Sequence, residues 1–384
     1  MLNMDLALYV HFPFCRQKCF YCDFNSVPGL PVSPEDYAEA LLRELELRSS
    51  VLSERAAATT LYFGGGTPSL MPPAVVESLV DAAVRLFGLS SEAEITIEAN
   101  PGTVTPETLA GYSAAGVTRL SLGIQSFNDH LLSAIGRIHT GQEAVDAFRS
   151  ARKAGFDNIA IDLIHGLPGQ TLPLLRQDLE SAARLAAEHV AVYALSVEEG
   201  TPFHRMAAVG DIVLPDENTA VRMLEEVQTF LEVAGYEHYE ISNYSLPVRR
   251  SRHNQVYWRR KSYLGFGAGA HSFMELPGFG CRWRNSDNLE TYLATPVDDL
   301  LAGVDHAVLT KREAMGEWFF LGLRMLEGVD LDRFETLFGD TVESVYGAEL
   351  ARLRQAGLVQ QQDKSLKLSR RGLLFYNQVA ANFL

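Results

Sequence analysis

From its first residues the chain alternates short apolar, β-branched runs with longer stretches of helical period. LALYVHF (6–12), TTLYFGG (59–65), EITIEAN (94–100), VTRLSLGI (117–124), NIAIDLI (158–164) and VAVYALS (190–196) read as strands, and YEHYEIS (236–242) as a seventh. The stretches between them carry helix signals. Ser33-Pro34-Glu35-Asp36 and Thr105-Pro106-Glu107 each set a capping hydroxyl before a proline at the first helical position. Gly155 and Gly235 stand where two helices should stop. Strands alternating with helices predict a parallel sheet with right-handed crossovers. The nearly unbroken apolar run 190–196 suits a strand covered on both faces. Chemical motifs follow several different strands. That favours an α/β fold of the partial (β/α)6 barrel type over a two-layer sheet, because barrel strands bring their C-terminal ends to one site.

Near residue 245 the pattern changes. RRSRHNQVYWRRK (249–261) holds six Lys/Arg around Tyr257 and Trp258, and Gly265, Gly267 and Gly269 follow. From about 310 the chain reads as helices, then a helix ending at Gly357, two short strands and a last helix, which is a winged-helix-like outline. The predicted organisation is therefore a barrel over 1–245, a connecting region over 246–305 that completes the site, and a smaller α-rich, winged-helix-like cap over 306–384.

Composition narrows the functional classes. The 384 residues are 47% hydrophobic and carry 33 Lys+Arg against 48 Asp+Glu, a net charge of −15, which excludes a disordered or low-complexity chain. An acidic balance disfavours nucleic acid as a partner, since a general binder needs cations for phosphates; the C-terminal outline is read as a cap, not a DNA reader. No apolar run approaches the roughly 18–20 residues of a membrane span. The start, MLNMDLALYVHFPFC, lacks a basic leader and a cleavage site, so a cytoplasmic location is expected.

The cysteines carry more. Three of the four, Cys15, Cys19 and Cys22, fall within eight residues directly after the first strand, and Cys281 stands alone. Structural zinc takes four protein ligands, usually in pairs, and no second pair is near. Ordinary electron-transfer clusters also take four cysteines. Three thiolates at this spacing suit a cubane iron–sulfur cluster with one iron left open for another ligand.

CRQKCFYC resembles the CxxxCxxC signature of the radical S-adenosylmethionine (SAM) superfamily. The resemblance implies a [4Fe-4S] cluster on Cys15, Cys19 and Cys22, SAM on the open iron, an electron donor to the cluster, and reductive cleavage of SAM to methionine and a 5′-deoxyadenosyl radical. Gly64-Gly65-Gly66-Thr67-Pro68 follows the second strand; glycines there let backbone amides and carbonyls approach a zwitterionic ligand. Glu98, Gln125, Arg137 and Asp162 lie at or just past the ends of the third, fourth and fifth strands. With Tyr9, Tyr21, Gly66 and Thr67, these are similar to the SAM-binding set of the oxygen-independent coproporphyrinogen oxidase family. By that resemblance Glu98 would hold the ribose hydroxyls, Arg137 the carboxylate, and Tyr21 would lie near adenine.

The resemblance runs through LGFGAGAHS (264–272) to the C-terminal region, and the family has two branches. The oxidases carry a fourth cysteine two residues past the third, and a long arm before the first strand. Here position 24 is Phe, and five residues precede that strand. The haem-chaperone branch, HemW-type, lacks the fourth cysteine and carries HNxxYW, present as His253-Asn254-Gln255-Val256-Tyr257-Trp258. Histidine is a common haem ligand, aromatics cover a macrocycle, and Arg249, Arg250, Arg252, Arg259, Arg260 and Lys261 could pair haem propionates. The expectation is a haem carrier that binds haem through His253 and delivers it to acceptor apoproteins. The alternative is radical decarboxylation of coproporphyrinogen III.

Overall fold

The computed structural model describes residues 5–52, 57–296 and 307–384. Six strands, β1 (Asp5–Phe12), β2 (Ala57–Gly65), β3 (Glu94–Ala99), β4 (Arg119–Gln125), β5 (Ile159–His165) and β6 (His189–Ala194), lie side by side in chain order, every pair parallel. Helices α1 (Pro34–Val51), α2 (Pro73–Phe87), α3 (Pro106–Ala114), α4 (Gly141–Lys153) and α5 (Leu172–Leu185) fill the crossovers. The starts of α1 and α3 are those the sequence predicts. Ser33 accepts the Asp36 amide at 3.0 Å, and Thr105 and Thr108 form a reciprocal capping box. The six predicted strands and the α/β partial-barrel class are thus observed.

The seventh strand is not. Within 236–242 only Glu237–His238 forms a strand, paired with β7 (Asn243–Ser245), which runs antiparallel to β6, and Glu240 makes a single antiparallel bridge to Met325. The cause is Glu240. Its buried carboxylate accepts the Ser242 amide at 3.0 Å and the Asn243 side chain, which bends the chain, and it pairs with Arg324 at 3.2 Å. Helix α6 (Glu217–Val233) precedes this turn.

A parallel strand that the pattern does not predict, β8 (Tyr263–Phe266), pairs with the outer edge of β1. Strands β9 (His271–Met274) and β10 (Cys281–Arg284) continue from it antiparallel, giving an open 12-stranded sheet. The glycine-rich run reads as a loop in sequence, yet Gly265 sits inside β8: a Cβ there would lie 2.1 Å from the His271 carbonyl oxygen. One buried carboxylate fastens this block to α1. Glu44 accepts from Arg48 Nε (2.7 Å), Asn285 Nδ2 (2.8 Å), the Gly267 amide (2.9 Å) and the Tyr292 hydroxyl (2.9 Å). Every lone-pair direction is used, which is what lets an ion pair persist without water.

After the short helix α7 (Arg252–Trp258), the C-terminal part has its own core around Phe319, Phe334, Tyr346 and Phe383. Helices α8 (Lys311–Gly322), α9 (Leu331–Phe338) and α10 (Val342–Gln355) pack on a three-stranded sheet of β11 (Val329–Asp330), β12 (Val359–Gln362) and β13 (Ser365–Leu368), the winged-helix-like outline expected. Among the described residues no helix is long and apolar enough to cross a membrane.

Candidate functional site

The parallel strands end on one rim, and the polar motifs gather there. Cys15, Cys19 and Cys22 line a cavity of about 380 Å³ together with Tyr21, Gly66, Thr67, Glu98, Gln125, Arg137 and Asp162. Cys15 and Cys19 are buried, Cys22 half-buried, and all are free thiols. Burial pushes the Cys15 and Cys22 thiols up, so thiolates here call for a compensating metal charge. All three border the same cavity, as ligands of one shared cluster must.

The glycine loop is folded back on β1. The Gly66 and Thr67 amides donate to the Phe12 and Phe14 carbonyls at 2.8 Å, and the Gly65 amide donates to Glu98 at 3.2 Å. The expectation that these amides meet a ligand is therefore corrected: with the Thr67 carbonyl also taken by the Leu70 amide at 3.0 Å, the Gly66 carbonyl oxygen is the loop group left to suit an ammonium. Gly66 is required, since a Cβ there would sit 2.6 Å from the Phe14 carbonyl oxygen.

Two carboxyls face the cavity from β3 and β5, the strands on either side of β4. Glu98 accepts the Tyr62 hydroxyl at 2.7 Å, and Asp162 accepts Ser121 at 3.2 Å. Burial dominates both, pushing Glu98 up to about 7 and Asp162 to about 6, against the lowering pull of these hydrogen bonds and of Arg119. Two guanidinium groups complement them. Arg137 donates to the Gly123 carbonyl and approaches Cys19 Sγ at 3.5 Å, yet its buried Nε has no partner; Arg119 Nε is likewise orphaned. Unpaired buried donors of this kind fit a ligand carboxylate. Gln125 closes β4 in the left-handed region at φ 69°, strain held by the bulge after Gly123. Sequence reasoning missed Arg119, Ser121 and Tyr62. The two-residue alternation Arg119, Ser121, Gly123, Gln125 along β4 was the available signal, since these positions share the inner face.

Tyr9 lies apart from that set. It lines an adjoining cavity of about 550 Å³, with its hydroxyl 3.0 Å from His11 Nδ1. Phe24, Gly65 and Glu98 border both cavities.

His253 stands elsewhere than the motif suggests. It is only 1% exposed, Nδ1 pairs with Thr60 Oγ1 at 2.8 Å and Nε2 with the Tyr257 hydroxyl at 2.7 Å, and the ring stacks on Tyr62 at 4.9 Å. Burial pushes it down to about 3, so the imidazole is neutral, and its one donor and one acceptor are both engaged. In this arrangement it presents no free nitrogen to iron. Glu94 anchors the same helix by accepting the Arg252 and His253 amides at 3.1 and 3.0 Å. That anchoring sets Tyr257 and Trp258 in the wall of the larger cavity.

The basic run is dispersed too. Arg249 pairs with Asp157, Arg250 with Glu237 and Glu327, Arg259 with Glu327, Arg260 with Glu317 and Lys261 with Glu275, while Arg252 donates to the Glu92 carbonyl. The expected common propionate surface does not form. Arg250, Arg259 and Arg260 instead tie the region to residues of the C-terminal part.

The chain matches the family model for the Radical SAM superfamily over residues 9–182 and that for the HemN C-terminal domain over residues 309–375. It is 36% identical to the heme chaperone HemW of Lactococcus lactis across 100% of this chain and 98% of that protein. It is also 36% identical to the heme chaperone HemW of Bacillus subtilis, across 98% of this chain and 99% of that one. In structure it is similar to the coproporphyrinogen III oxidase HemN of Escherichia coli, a radical SAM enzyme, with TM-score 0.84 over 99% of this chain and 90% of that one at 24% identity; at that identity the likeness speaks for the fold.

Two outcomes follow from the site. His253→Ala leaves Thr60 and Tyr257 without their partners in the interior and should lower unfolding free energy by about 2 kcal/mol or more, measured by urea denaturation. An unchanged midpoint and slope would contradict the placement. Glu98 and Asp162 hold protons in the folded state above their ordinary values of 4.5 and 3.8. Their contribution is therefore full at acid pH and is lost as pH rises through about 6 and 7. Melting curves of ligand-free wild type and Glu98→Gln should thus diverge in the variant's favour between mildly acid and neutral pH; parallel curves would refute the assignment.

Proposed function

Since the chain belongs to the HemW family of the radical SAM superfamily, we propose that it is a haem chaperone that carries a [4Fe-4S] cluster and SAM and delivers haem to acceptor apoproteins. Cys15, Cys19 and Cys22 hold the cluster. The Gly66–Thr67 backbone receives the SAM amino end, Glu98 the ribose hydroxyls and Arg137 the carboxylate, with Tyr21 beside adenine and Gln125 and Asp162 completing the pocket. When bound, the cluster supplies the electron that cleaves SAM's sulfonium, and it draws that electron from a donor protein or reductant. The residues of the chain do the rest: they neutralise, orient and keep water from the reacting end of the cavity. The reading includes a cytoplasmic location.

The observation that carries the proposal is the second cavity. At about 550 Å³ it falls in the size range of roughly 300–1,000 Å³ that small-molecule and cofactor sites occupy, and it shares a wall with the cluster cavity. Tyr257, Trp258, Tyr263 and Phe273 line it, a surface suited to a flat macrocycle. The HNxxYW segment enters this account as the element that positions two of those rings. Tyr9 belongs to the wall of this second cavity.

The oxidase reading has no comparable support, because the oxidase HemN shares the fold at low identity and position 24 holds Phe24 where that branch has its fourth cysteine. The test is to reconstitute the cluster anaerobically, load haem, and mix with an apo-haemoprotein such as apomyoglobin. Transfer of haem to the acceptor is expected, with no protoporphyrinogen formed when coproporphyrinogen III, SAM and reductant are supplied. Protoporphyrinogen formation above background, without haem transfer, would overturn the reading.

A further inference from the structure

The larger cavity contains two imidazoles, and they differ in one respect. His11 is fully engaged, with Nδ1 on the Tyr9 hydroxyl at 3.0 Å and Nε2 on the Asn25 carbonyl at 2.8 Å. His271 begins β9, is exposed, lines the cavity, and makes no hydrogen bond through its ring among the described residues. The other polar groups are committed. Arg260 and Arg282 share Glu317, Lys261 pairs with Glu275 at 3.1 Å, and Tyr257 holds His253. Trp258 adds a buried indole N–H without an acceptor. Two glycines bring His271 there: Gly265 admits its carbonyl, and Gly269, at φ 75°, turns the chain beneath Asn25 of the cysteine loop.

We infer that His271, and not the histidine of the HNxxYW segment, is the protein ligand to the iron of a haem seated in this cavity. The assignment rests on the haem-carrier reading above and adds the residue that grips the cargo. Tyr257, Tyr263 and Phe273 supply apolar area for the macrocycle, and the imidazole supplies the bond that distinguishes an iron porphyrin from a metal-free one. Burial and the neighbouring Arg284 and Arg282 push the His271 pKa down, opposed by Asp287, so the ring is neutral and able to ligate near neutral pH. Phe24, 63% exposed, stands between this cavity and the cysteines. A haem held by His271 would thus have Phe24, Gly65 and Glu98 in common with the cavity of the cysteines.

The experiment titrates full-length wild type, His271→Ala, His271→Gln and His253→Ala with hemin and, separately, with metal-free protoporphyrin IX, following the Soret band and its ligation-sensitive position. Circular dichroism melts establish that each variant is folded. The expected result is at least tenfold weaker hemin binding and a shifted Soret band in both His271 variants. Protoporphyrin IX affinity stays unchanged, and added imidazole restores the wild-type spectrum to His271→Ala. His253→Ala, which frees the Tyr257 ring, weakens hemin and protoporphyrin IX binding together and leaves the ligation-sensitive Soret position of bound hemin unshifted. Wild-type hemin spectra in the His271 variants would overturn the assignment, as would an equal loss of hemin and protoporphyrin IX in those variants. Failure of wild type itself to bind hemin would instead overturn the carrier reading on which the assignment rests.

Discussion

Parallel strands with right-handed crossovers must all finish on the same side of the sheet, and the functional arrangement depends on that constraint. It sets the exits of β1 to β5 side by side, so cysteines after the first strand meet Gly66 and Thr67 after the second, Glu98 on the third, Gln125 and Arg137 after the fourth and Asp162 on the fifth. No local segment makes this cavity. Because its floor lies inside the sheet, its carboxyls and guanidinium groups are desolvated, which is why Glu98 and Asp162 hold protons so readily and why the Nε atoms of Arg119 and Arg137 stay unpaired. Such a pocket is costly when empty of charge partners and favours a ligand carrying both a cation and a carboxylate.

The same sheet extends past β1 through β8, β9 and β10, and that extension produces the second cavity. Its walls come from three directions. Helix α7 contributes Tyr257 and Trp258, the glycine-rich turn brings His271, and α8 of the C-terminal part contributes Leu321. Glu317, also on α8, grips Arg260 and Arg282 together, so the C-terminal core and the cavity wall are mechanically one unit. The basic run that looks like an anion site in sequence is, in three dimensions, largely the fastening between these parts.

Much of this was legible in the sequence because the signals are local. The six parallel strands follow from β-branched runs, the starts of α1 and α3 from hydroxyl–proline pairs, and the grouping of three cysteines at one cavity from their spacing within eight residues. The cavity set, apart from Tyr9, lies where strand-end logic and family resemblance put it. What escaped depends on partners far along the chain. Glu240 breaks the seventh strand through Ser242 and Arg324; β8 hides behind glycines whose purpose is close approach to His271. His253 reads as a free ligand until Thr60, 193 positions away, closes on it. Arg119 sits on an inward strand position that looks ordinary beside its neighbours.

On the proposed function, two adjoining cavities with a common wall hold SAM and haem at once. This is tested most directly by titrating the anaerobically reconstituted protein with hemin in the absence and in the presence of saturating SAM, reading haem stoichiometry from the Soret band. One haem bound per chain in both titrations, with SAM retained, is the predicted result. Displacement of either ligand by the other would place both in a single cavity and contradict the account.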